Sequence, residues 1–240
     1  MIVEICANSM QSALHAERGG ADRIELCSEL GVGGITPSYG LLKNIKGHIK
    51  IPIHVLIRPR SGDFTYSDFE FQIMKDDIAL CVKLGFDGIV SGVLHKNFEV
   101  DWKRTVELIK AAGSLKFTFH RAFDWVPTPI ASFSRLQDVG VSTILSSGQA
   151  KSATIGMPLL LELNKKSATC VIMPGAGIRD SNAALFKEAG FRAIHLSATH
   201  FIENSDALPP LTMNSPDFLI ENKVAITNLD VVRKVIKSVK

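Results

Sequence analysis

The segment LKFTFHRAFD, residues 115–124, combines the pattern of a buried strand with a charged end. Its first half alternates aromatic residues with Thr118 and His120, which is the two-residue period of a β-strand. An imidazole, a guanidinium and a carboxylate then follow within five residues, at His120, Arg121 and Asp124. Burying such groups is costly unless each has a partner or a use. The segment therefore predicts a core strand that delivers chemically useful side chains at its end.

Short apolar and β-branched runs of the same kind recur along the whole chain. The eight runs are Ile2–Cys6, Arg23–Cys27, Ile51–Arg58, Gly88–Ser91, Leu115–His120, Thr143–Ser146, Cys170–Pro174 and Ala193–Ser197. Every gap between them has room for a helical crossover and is too wide for a hairpin. The pattern therefore predicts parallel strands that alternate with helices.

Helix start and stop signals occupy the gaps between these runs. Ser67 and Glu70 have the spacing of a capping box, Asp101 precedes another helical period, and Pro129 suits a first helical turn. Several glycines follow predicted helices, where a left-handed residue is common. These glycines are Gly19, Gly85, Gly113, Gly140 and Gly190.

Eight alternating strand and helix units predict a single (βα)8 TIM barrel over residues 1–240, with its first strand beginning within a few residues of Met1. A doubly wound open sheet is the alternative, but the first strand is not followed by a glycine-rich dinucleotide fingerprint. Residues 204–227 are expected to form a long loop, and residues 228–239 a terminal helix.

The composition fits one globular domain, since 46% of the 240 residues are hydrophobic and 21% are charged. The formal net charge is only +3, and no basic run is interleaved with aromatic residues, so nucleic acid is not an expected partner. The N-terminal sequence lacks the features of a signal peptide, and no apolar segment approaches the roughly 18 residues of a membrane span. We expect a cytoplasmic protein without a membrane partner.

Polar side chains are predicted to meet at the carboxyl ends of the strands, where barrel proteins place their sites. Alternation puts the following on the inner face: Glu4, Cys6, Glu25, Cys27, Arg58, Ser91, Thr118, His120, His195 and Ser197. Glu25 and His120 are candidate acid–base catalysts, and Arg58 is a candidate anion clamp. Alternatively, Glu4, Glu25 and Arg58 form a structural ion-pair layer. A carboxylate beside His120 should make its ring hold a proton more tightly than a free imidazole.

The segments after the seventh and eighth strands are candidate anion-binding loops. PGAGI, residues 174–178, follows the seventh strand, and Ser197 ends the eighth. Backbone N–H groups at Gly175 and Gly177 are therefore candidates to bind an anion such as phosphate, together with Ser197 and Arg58. The alternative is that the glycines are needed only to turn the chain.

Cys6 and Cys27 end neighbouring strands, so their sulfur atoms are expected within reach of one soft cation. Thiolates select Cu(I) or zinc, and a site with two thiolates favours Cu(I). The alternative is that both are small apolar core residues, which is the common state of a free cysteine. Cys81 and Cys170 are predicted to be packing residues, and all four cysteines are expected to be free thiols.

Five blocks of sequence together resemble one known family. They are GGADRIELC (19–27), GGITPSYG (33–40), IRPRSGDFTYSDFE (57–70), TFHRAFD (118–124) and MPGAGI (173–178). In order and spacing they are similar to the CutC copper-homeostasis family, from Met1 to about Ser197. The resemblance implies a cytoplasmic TIM barrel, often oligomeric, that handles copper and binds Cu(I) through cysteine. Cys27 matches the family's cysteine in the first block, whereas HLSATHFIE, from residue 195, departs from the family pattern.

Two functions follow as hypotheses. The first is a copper-homeostasis protein that binds Cu(I) through Cys27, with Cys6 as a second ligand. The second is an enzyme acting on a small phosphorylated or carboxylated metabolite, with Glu25 or His120 as general acid or base and Arg58 holding the anion. A second copy of the chain and a small anionic ligand are the expected partners.

Overall fold

Eight parallel strands form a sheet whose two end strands, β7 and β8, lie side by side, so that the sheet is a nearly closed barrel. The structure is a computed structural model that describes residues 1–205, 210–211, 213 and 223–240. The strands are β1 (Ile2–Ala7), β2 (Arg23–Leu26), β3 (Ile53–Leu56), β4 (Gly88–Ser91), β5 (Lys116–Phe119), β6 (Thr143–Ser146), β7 (Val171–Pro174) and β8 (Ala193–Leu196). The predicted (βα)8 barrel is confirmed, and every strand boundary lies within two residues of its predicted position.

Helices follow the strands and cover the outside of the barrel. The α-helices are α1 (Met10–Arg18), α2 (Tyr39–Lys46), α3 (Asp68–Leu84), α4 (Trp102–Ala112), α5 (Pro129–Asp138), α6 (Met157–Lys165), α7 (Ala183–Glu188) and α8 (Leu229–Val239). Short 3-10 helices occupy Leu30–Val32 and Arg121–Trp125. The capping box predicted at Ser67 and Glu70 is present at the start of α3. Within the described part of the chain, no helix has both the length and the apolar character needed to cross a membrane.

The strand register brings the first, second and last strands together around β1. Glu4 of β1 lies opposite Arg23 of β2 and also opposite His195 of β8. Two residues further along β1, Cys6 lies opposite Glu25. Because side chains alternate along a strand, all five of these side chains face the same side of the sheet, which is the interior of the barrel.

Apolar packing is divided between the two faces of the sheet. One large cluster lies between strands and helices and contains outward-facing residues such as Val3 and Ile5. The interior holds two small clusters, Cys6, Cys27, Leu56 and Val90 in one, and Leu145, Met173 and Ala193 in the other. Glu4, His54 and Thr118 are buried as well. The barrel interior is therefore partly polar, and its groups must pair with one another or remain unsatisfied.

Gly88 provides the space in which the His54 ring lies. A Cβ atom at residue 88 would be about 2.5 Å from the nearest ring atoms of His54 on the neighbouring strand. Any side chain at this position would displace the ring, so glycine is required in β4 for reasons of packing.

The C-terminal segment differs from the predicted loop over residues 204–227. Residues 223–227 form a strand, β10 (Lys223–Thr227), which pairs antiparallel with β9 (Thr199–Glu203). The prediction was wrong there because KVAIT, a short β-branched run, is stabilised as a strand by its pairing with THFIE, an earlier segment of the chain. The loop prediction over residues 206–209, 212 and 214–222 lies outside the described residues. The terminal helix is confirmed as α8, with Asn228 as its N-cap.

One of the five glycine predictions was also wrong. Gly19 has a φ of −75°, which is an ordinary helical value, and Gly20 takes the left-handed conformation instead, with a φ of +90°. A Cβ atom at Gly19 would collide with the side chain of Val232 in α8. Glycine at 19 therefore allows close approach of two helices. Positive φ values are found at the other four, Gly85, Gly113, Gly140 and Gly190.

Candidate functional site

A cavity of about 830 Å³ opens at the carboxyl ends of the barrel strands, and we refer to it as the barrel cavity. Its lining includes Cys6, Glu25, Arg58, His120, His195 and Ser197. The rings of Phe64 and Trp125 form part of its wall and lie 4.8 Å apart, centroid to centroid. Glu25, Arg58 and His120, which the sequence placed together, thus face one space at the end where barrel sites occur.

Cys6 and Cys27 form a thiol pair at the wall of the barrel cavity. Their Sγ atoms are 3.4 Å apart, and both cysteines are free. Cys6 lines the cavity, whereas Cys27 is fully buried and is not part of the lining. The contact with Cys27, together with burial, raises the pKa of Cys6 well above its ordinary value. The Cys6 thiol is therefore protonated at neutral pH, and a metal that binds its sulfur must displace that proton.

The other two thiols lie apart from this pair. Cys81 is in α3, and Cys170 lies just before β7. Both are fully buried, and burial raises the pKa of each to about 12. Their expected role in packing matches their place in the large apolar cluster.

Glu4 is the centre of a buried charged group that joins three strands. Its carboxylate pairs with the Arg23 guanidinium and accepts a hydrogen bond from His195 Nδ1, 2.8 Å from Glu4 Oε1. Burial opposes ionisation of Glu4, but Arg23 and His195 outweigh it and hold its pKa well below the ordinary value. Burial would likewise lower the pKa of His195, but the carboxylates of Glu25 and Glu4 raise it. For Glu4, the structural ion-pair interpretation fits the geometry.

Glu25 lies beside this group but is not paired in the same way. Its Oε1 accepts a weak hydrogen bond from Cys6 Sγ at 3.6 Å, while Oε2 is buried without a hydrogen-bond partner in the part of the chain described. Burial raises the pKa of Glu25 against the attraction of His195. A carboxyl group of this kind either holds a proton or needs a cation.

Donor atoms from Cys6, Glu25 and His195 all lie within 4.8 Å of one another. They offer a sulfur, a carboxylate oxygen and an imidazole nitrogen, which are ligand types for a transition metal. The sequence pattern placed His195 on the inner face but assigned it no role. The signal that identifies it is the pairing of β8 with β1, which brings residue 195 next to Glu4.

The guanidinium of Arg58 donates hydrogen bonds to three main-chain carbonyl groups. Its Nη1 donates to the carbonyl oxygens of Val32 and Gly34, both at 2.9 Å, and its Nη2 donates to that of Gly62 at 2.7 Å. Its carbon Cζ also lies 5.1 Å from the centroid of the Phe64 ring. Arg58 therefore fixes the loops after β2 and β3, and the ion-pair layer proposed for it from sequence does not match these partners.

His120 does not hold its proton tightly, so the expectation from sequence was wrong. Burial lowers its pKa to about 3, and the charges of Arg58 and Arg121 act in the same direction. The expected carboxylate neighbour is instead a guanidinium. His120 Nδ1 accepts a hydrogen bond from the N–H of Ala122 at 3.2 Å, while Nε2 is buried and unpaired within the described structure. The ring is therefore neutral at physiological pH.

The carboxylate of Asp124 at the end of the segment 115–124 binds the last residue of β6 and the first residue of the loop that follows. Its carboxylate accepts hydrogen bonds from Ser146 Oγ at 2.6 Å and from Ser147 Oγ at 2.9 Å. Arg121 Nε donates to the same carboxylate at 2.8 Å. Asp124 thus has a structural use, which explains why a carboxylate is retained at this buried position.

The candidate anion-binding residues do not all reach the same space. Gly177 and Ser197 line the barrel cavity with Arg58. Gly175 donates its N–H to the carbonyl oxygen of Ser146 at 2.9 Å, so this donor is already used between neighbouring strands. A Cβ atom at Gly175 would be 2.5 Å from Leu145, which gives the glycine a packing role.

Comparison with known proteins places these features in a family. A protein of Salmonella newport (strain SL254), named as a CutC family protein, is 48% identical over 197 residues, which cover 82% of this chain and 79% of that protein. A Salmonella typhi protein with the same name is 47% identical over 197 residues, covering 82% of this chain and 76% of that one.

Solved structures agree with the sequence relatives. A Streptococcus agalactiae protein whose structure is described as a putative copper homeostasis protein CutC is 31% identical, with a TM-score of 0.78, covering 82% of this chain and 98% of that one. Thiamine phosphate pyrophosphorylase from Pyrococcus furiosus has a TM-score of 0.59 at 13% identity, covering 99% and 95% of the two chains, and shares only the fold.

The family match ends shortly after the eighth barrel strand. The model of the CutC family matches residues 1–200, which include all eight barrel strands and nearly all the residues that line the barrel cavity. Most of β9, with β10 and α8, lies beyond this match, as the sequence after the eighth strand had indicated. The order of the barrel strands and the extent of the match lead to one conclusion: the chain belongs to the CutC family.

Proposed function

We propose that this protein serves copper homeostasis by binding Cu(I) between the thiols of Cys6 and Cys27. The observation that carries the proposal is the 3.4 Å separation of the two Sγ atoms at the wall of the barrel cavity. Small side-chain rotations bring two sulfur atoms at this distance onto one ion. Paired thiolates are the ligands that soft Cu(I) prefers over other biological donors.

The surroundings of the thiol pair support the choice of Cu(I). Leu56, Val90 and the partly buried Leu30 pack around the two cysteines and limit contact with water. An apolar shell suits a soft ion of single charge, because it needs less hydration than a divalent ion. Cys6 provides the entry point, since it lines the cavity while Cys27 is fully buried. A reducing, cytoplasmic setting belongs to this proposal, because free thiols persist there.

The alternative of an enzyme with an Arg58 anion clamp has less support. Three of the hydrogen bonds that Arg58 offers already go to carbonyl groups of the chain. An incoming phosphate or carboxylate would have to compete with them. The Streptococcus agalactiae relative is described as a copper homeostasis protein, and this description gives no substrate for such an enzyme.

The proposal is tested by anaerobic titration of Cu(I) against a chromophoric Cu(I) chelator. The parent protein is expected to withdraw one Cu(I) per chain from the chelator. Cys27→Ser and Cys6→Ser should each weaken Cu(I) binding by at least about tenfold, since each removes one of two sulfur ligands.

Cys81→Ser and Cys170→Ser are the matched controls, because both remove a buried thiol far from the pair. Their Cu(I) affinity should equal that of the parent. An unchanged affinity in Cys27→Ser would exclude the thiol pair as the copper site.

A further inference from the structure

A second set of donor atoms shares Cys6 but leaves Cys27 aside. Cys6 of β1, Glu25 of β2 and His195 of β8 come from three neighbouring strands, and their donor atoms lie within 4.8 Å of one another. All three side chains line the barrel cavity at the same end. The set therefore brings one sulfur, one oxygen and one nitrogen donor to a single point.

His195 is held in the orientation that a metal ligand needs. A carboxylate only accepts hydrogen bonds, so His195 Nδ1 must be the donor to Glu4 Oε1 across their 2.8 Å separation. Arg23 in turn fixes Glu4 by a charged hydrogen bond. This leaves Nε2 as the ring nitrogen available to a ligand. Metal-binding histidines commonly carry such a carboxylate on their other nitrogen, where it sets the tautomer and the ring orientation.

Glu25 provides an independent sign that a ligand belongs here. The residue is only 5% exposed, yet its Oε2 has no hydrogen-bond partner among the residues described. Leaving a buried polar atom unpaired costs about 1–3 kcal/mol, and more if it is charged. A cation beside Oε2 would remove this cost, and the same cation would lie within reach of Cys6 and His195.

The mixture of donors determines the class of ion. Thiolate, carboxylate and imidazole together suit a divalent ion such as Zn²⁺, which accepts all three, whereas Cu(I) prefers sulfur. Three protein ligands with a fourth position open to solvent is the arrangement of reactive rather than structural zinc sites. Ligand atoms of a tetrahedral zinc site lie about 3.4–3.6 Å apart. Because the donor atoms lie within 4.8 Å of one another, side-chain rotation has to shorten no separation by more than about 1.4 Å.

We propose that Cys6, Glu25 and His195 form a binding site for a divalent transition-metal ion of the Zn²⁺ class. The fourth ligand comes from the barrel cavity and is a water molecule or an oxygen atom of a small molecule. This site goes beyond the copper function, because it requires Glu25 and His195 and does not require Cys27.

Co²⁺ is the probe, since it replaces Zn²⁺ in such sites and its absorption reports its ligands. Anaerobic addition of Co²⁺ to the reduced parent protein should produce a thiolate-to-cobalt charge-transfer band and the visible bands of a four-coordinate ion. Zn²⁺ should abolish both by competition. Cys6→Ser should remove the charge-transfer band, and Glu25→Gln and His195→Gln should each weaken Co²⁺ binding by at least about tenfold.

Cys27→Ser distinguishes this site from the copper site. It should keep the Co²⁺ bands while its Cu(I) affinity falls by at least about tenfold. Failure of one proposal is therefore visible separately from failure of the other. Absence of any cobalt–thiolate band in the parent would overturn the divalent site. Full retention of the bands in both folded variants, Glu25→Gln and His195→Gln, would overturn it too.

A measurement on the parent protein decides the matter if a variant does not fold. X-ray absorption at the cobalt edge counts the sulfur ligands directly. One sulfur with nitrogen or oxygen ligands supports the site. Two sulfur ligands would mean that Co²⁺ binds the thiol pair. A spectrum without sulfur ligands would mean that Co²⁺ binds at another place. Either result contradicts the proposal.

Discussion

Glu4 Oε1 and His195 Nδ1 lie 2.8 Å apart across the contact between the first and the last strand of the barrel. Arg23 of β2 binds the other oxygen of the same carboxylate, so one side chain joins three strands. The interaction is fully buried on the Glu4 side. It both stabilises the barrel and positions His195 beside Cys6 and Glu25.

Glu4→Gln should destabilise the protein strongly. The change removes the buried negative charge that pairs with the Arg23 guanidinium and accepts the hydrogen bond of His195. Removing one partner from a buried ion pair typically costs about 3–5 kcal/mol. Urea unfolding followed by circular dichroism measures this difference in the free energy of unfolding.

Arg233→Gln is the control for that experiment. Arg233 pairs with Asp230 on the surface of α8, where both side chains are mostly exposed. Loss of such a pair should change the free energy of unfolding by about 1 kcal/mol or less. Equal effects of the two substitutions would show that the Glu4 group does not stabilise the barrel.

Arg58→Ala should lower stability by at least about 4 kcal/mol. Three main-chain carbonyl groups in the loops after β2 and β3 lose a charged donor, and hydrogen bonds to charged groups each contribute about 1.5–3 kcal/mol. Thermal unfolding with and without phosphate provides the measurement. A normal melting temperature combined with loss of a phosphate response would instead identify Arg58 as an anion clamp.

Stability should fall as the solution is acidified from pH 6.5, because two buried histidines remain neutral in the folded protein. Burial lowers the pKa of His54 to about 4 and that of His120 to about 3, from an ordinary value of 6.5. The unfolded chain therefore binds protons that the folded chain does not. The contribution of each ring to the free energy of unfolding is fully present above pH 6.5. Below pH 6.5 it decreases by about 1.4 kcal/mol per pH unit until the pH reaches the pKa of that ring in the folded protein.

His54→Leu isolates one of these contributions. Glu25 has the opposite effect on stability during acidification, because its raised pKa lets the folded protein bind a proton at a higher pH than the unfolded chain does. Urea unfolding therefore measures the free energy of unfolding of parent and variant at pH 6.5 and at about pH 4.5. The quantity to compare is the loss of this free energy between the two pH values. The parent should lose more stability than the variant over this interval, and equal losses would mean that His54 is not held neutral.

Much of the fold was accessible from the sequence because its signals are local. Strand runs and the Ser67–Glu70 capping box depend on neighbouring residues, and these were confirmed. The strand over 223–227 was missed because it is stabilised by its partner at 199–203, which is distant in sequence. Gly19 was misjudged for a similar reason, since its neighbour Val232 belongs to the last helix.

The sequence predicted which residues line the site, but it did not predict which of their side chains pair with one another. Alternation along strands identified Glu25, Arg58 and His120 as inward-facing residues, and they do line one cavity. Which charges become neighbours depends on barrel closure and on loop conformation. Arg58 bonds to carbonyl groups of loops, and this left His120 beside a guanidinium rather than a carboxylate. No local pattern contains that information.

The sulfur count around bound copper tests the central claim most directly. X-ray absorption at the copper edge, on protein loaded anaerobically with one equivalent of Cu(I), reports how many sulfur atoms bind the ion. The thiol pair predicts two sulfur ligands in the parent and one in Cys27→Ser, while Cys81→Ser should match the parent. A parent spectrum with nitrogen or oxygen ligands alone, or an unchanged sulfur count in Cys27→Ser, would contradict binding of Cu(I) between Cys6 and Cys27.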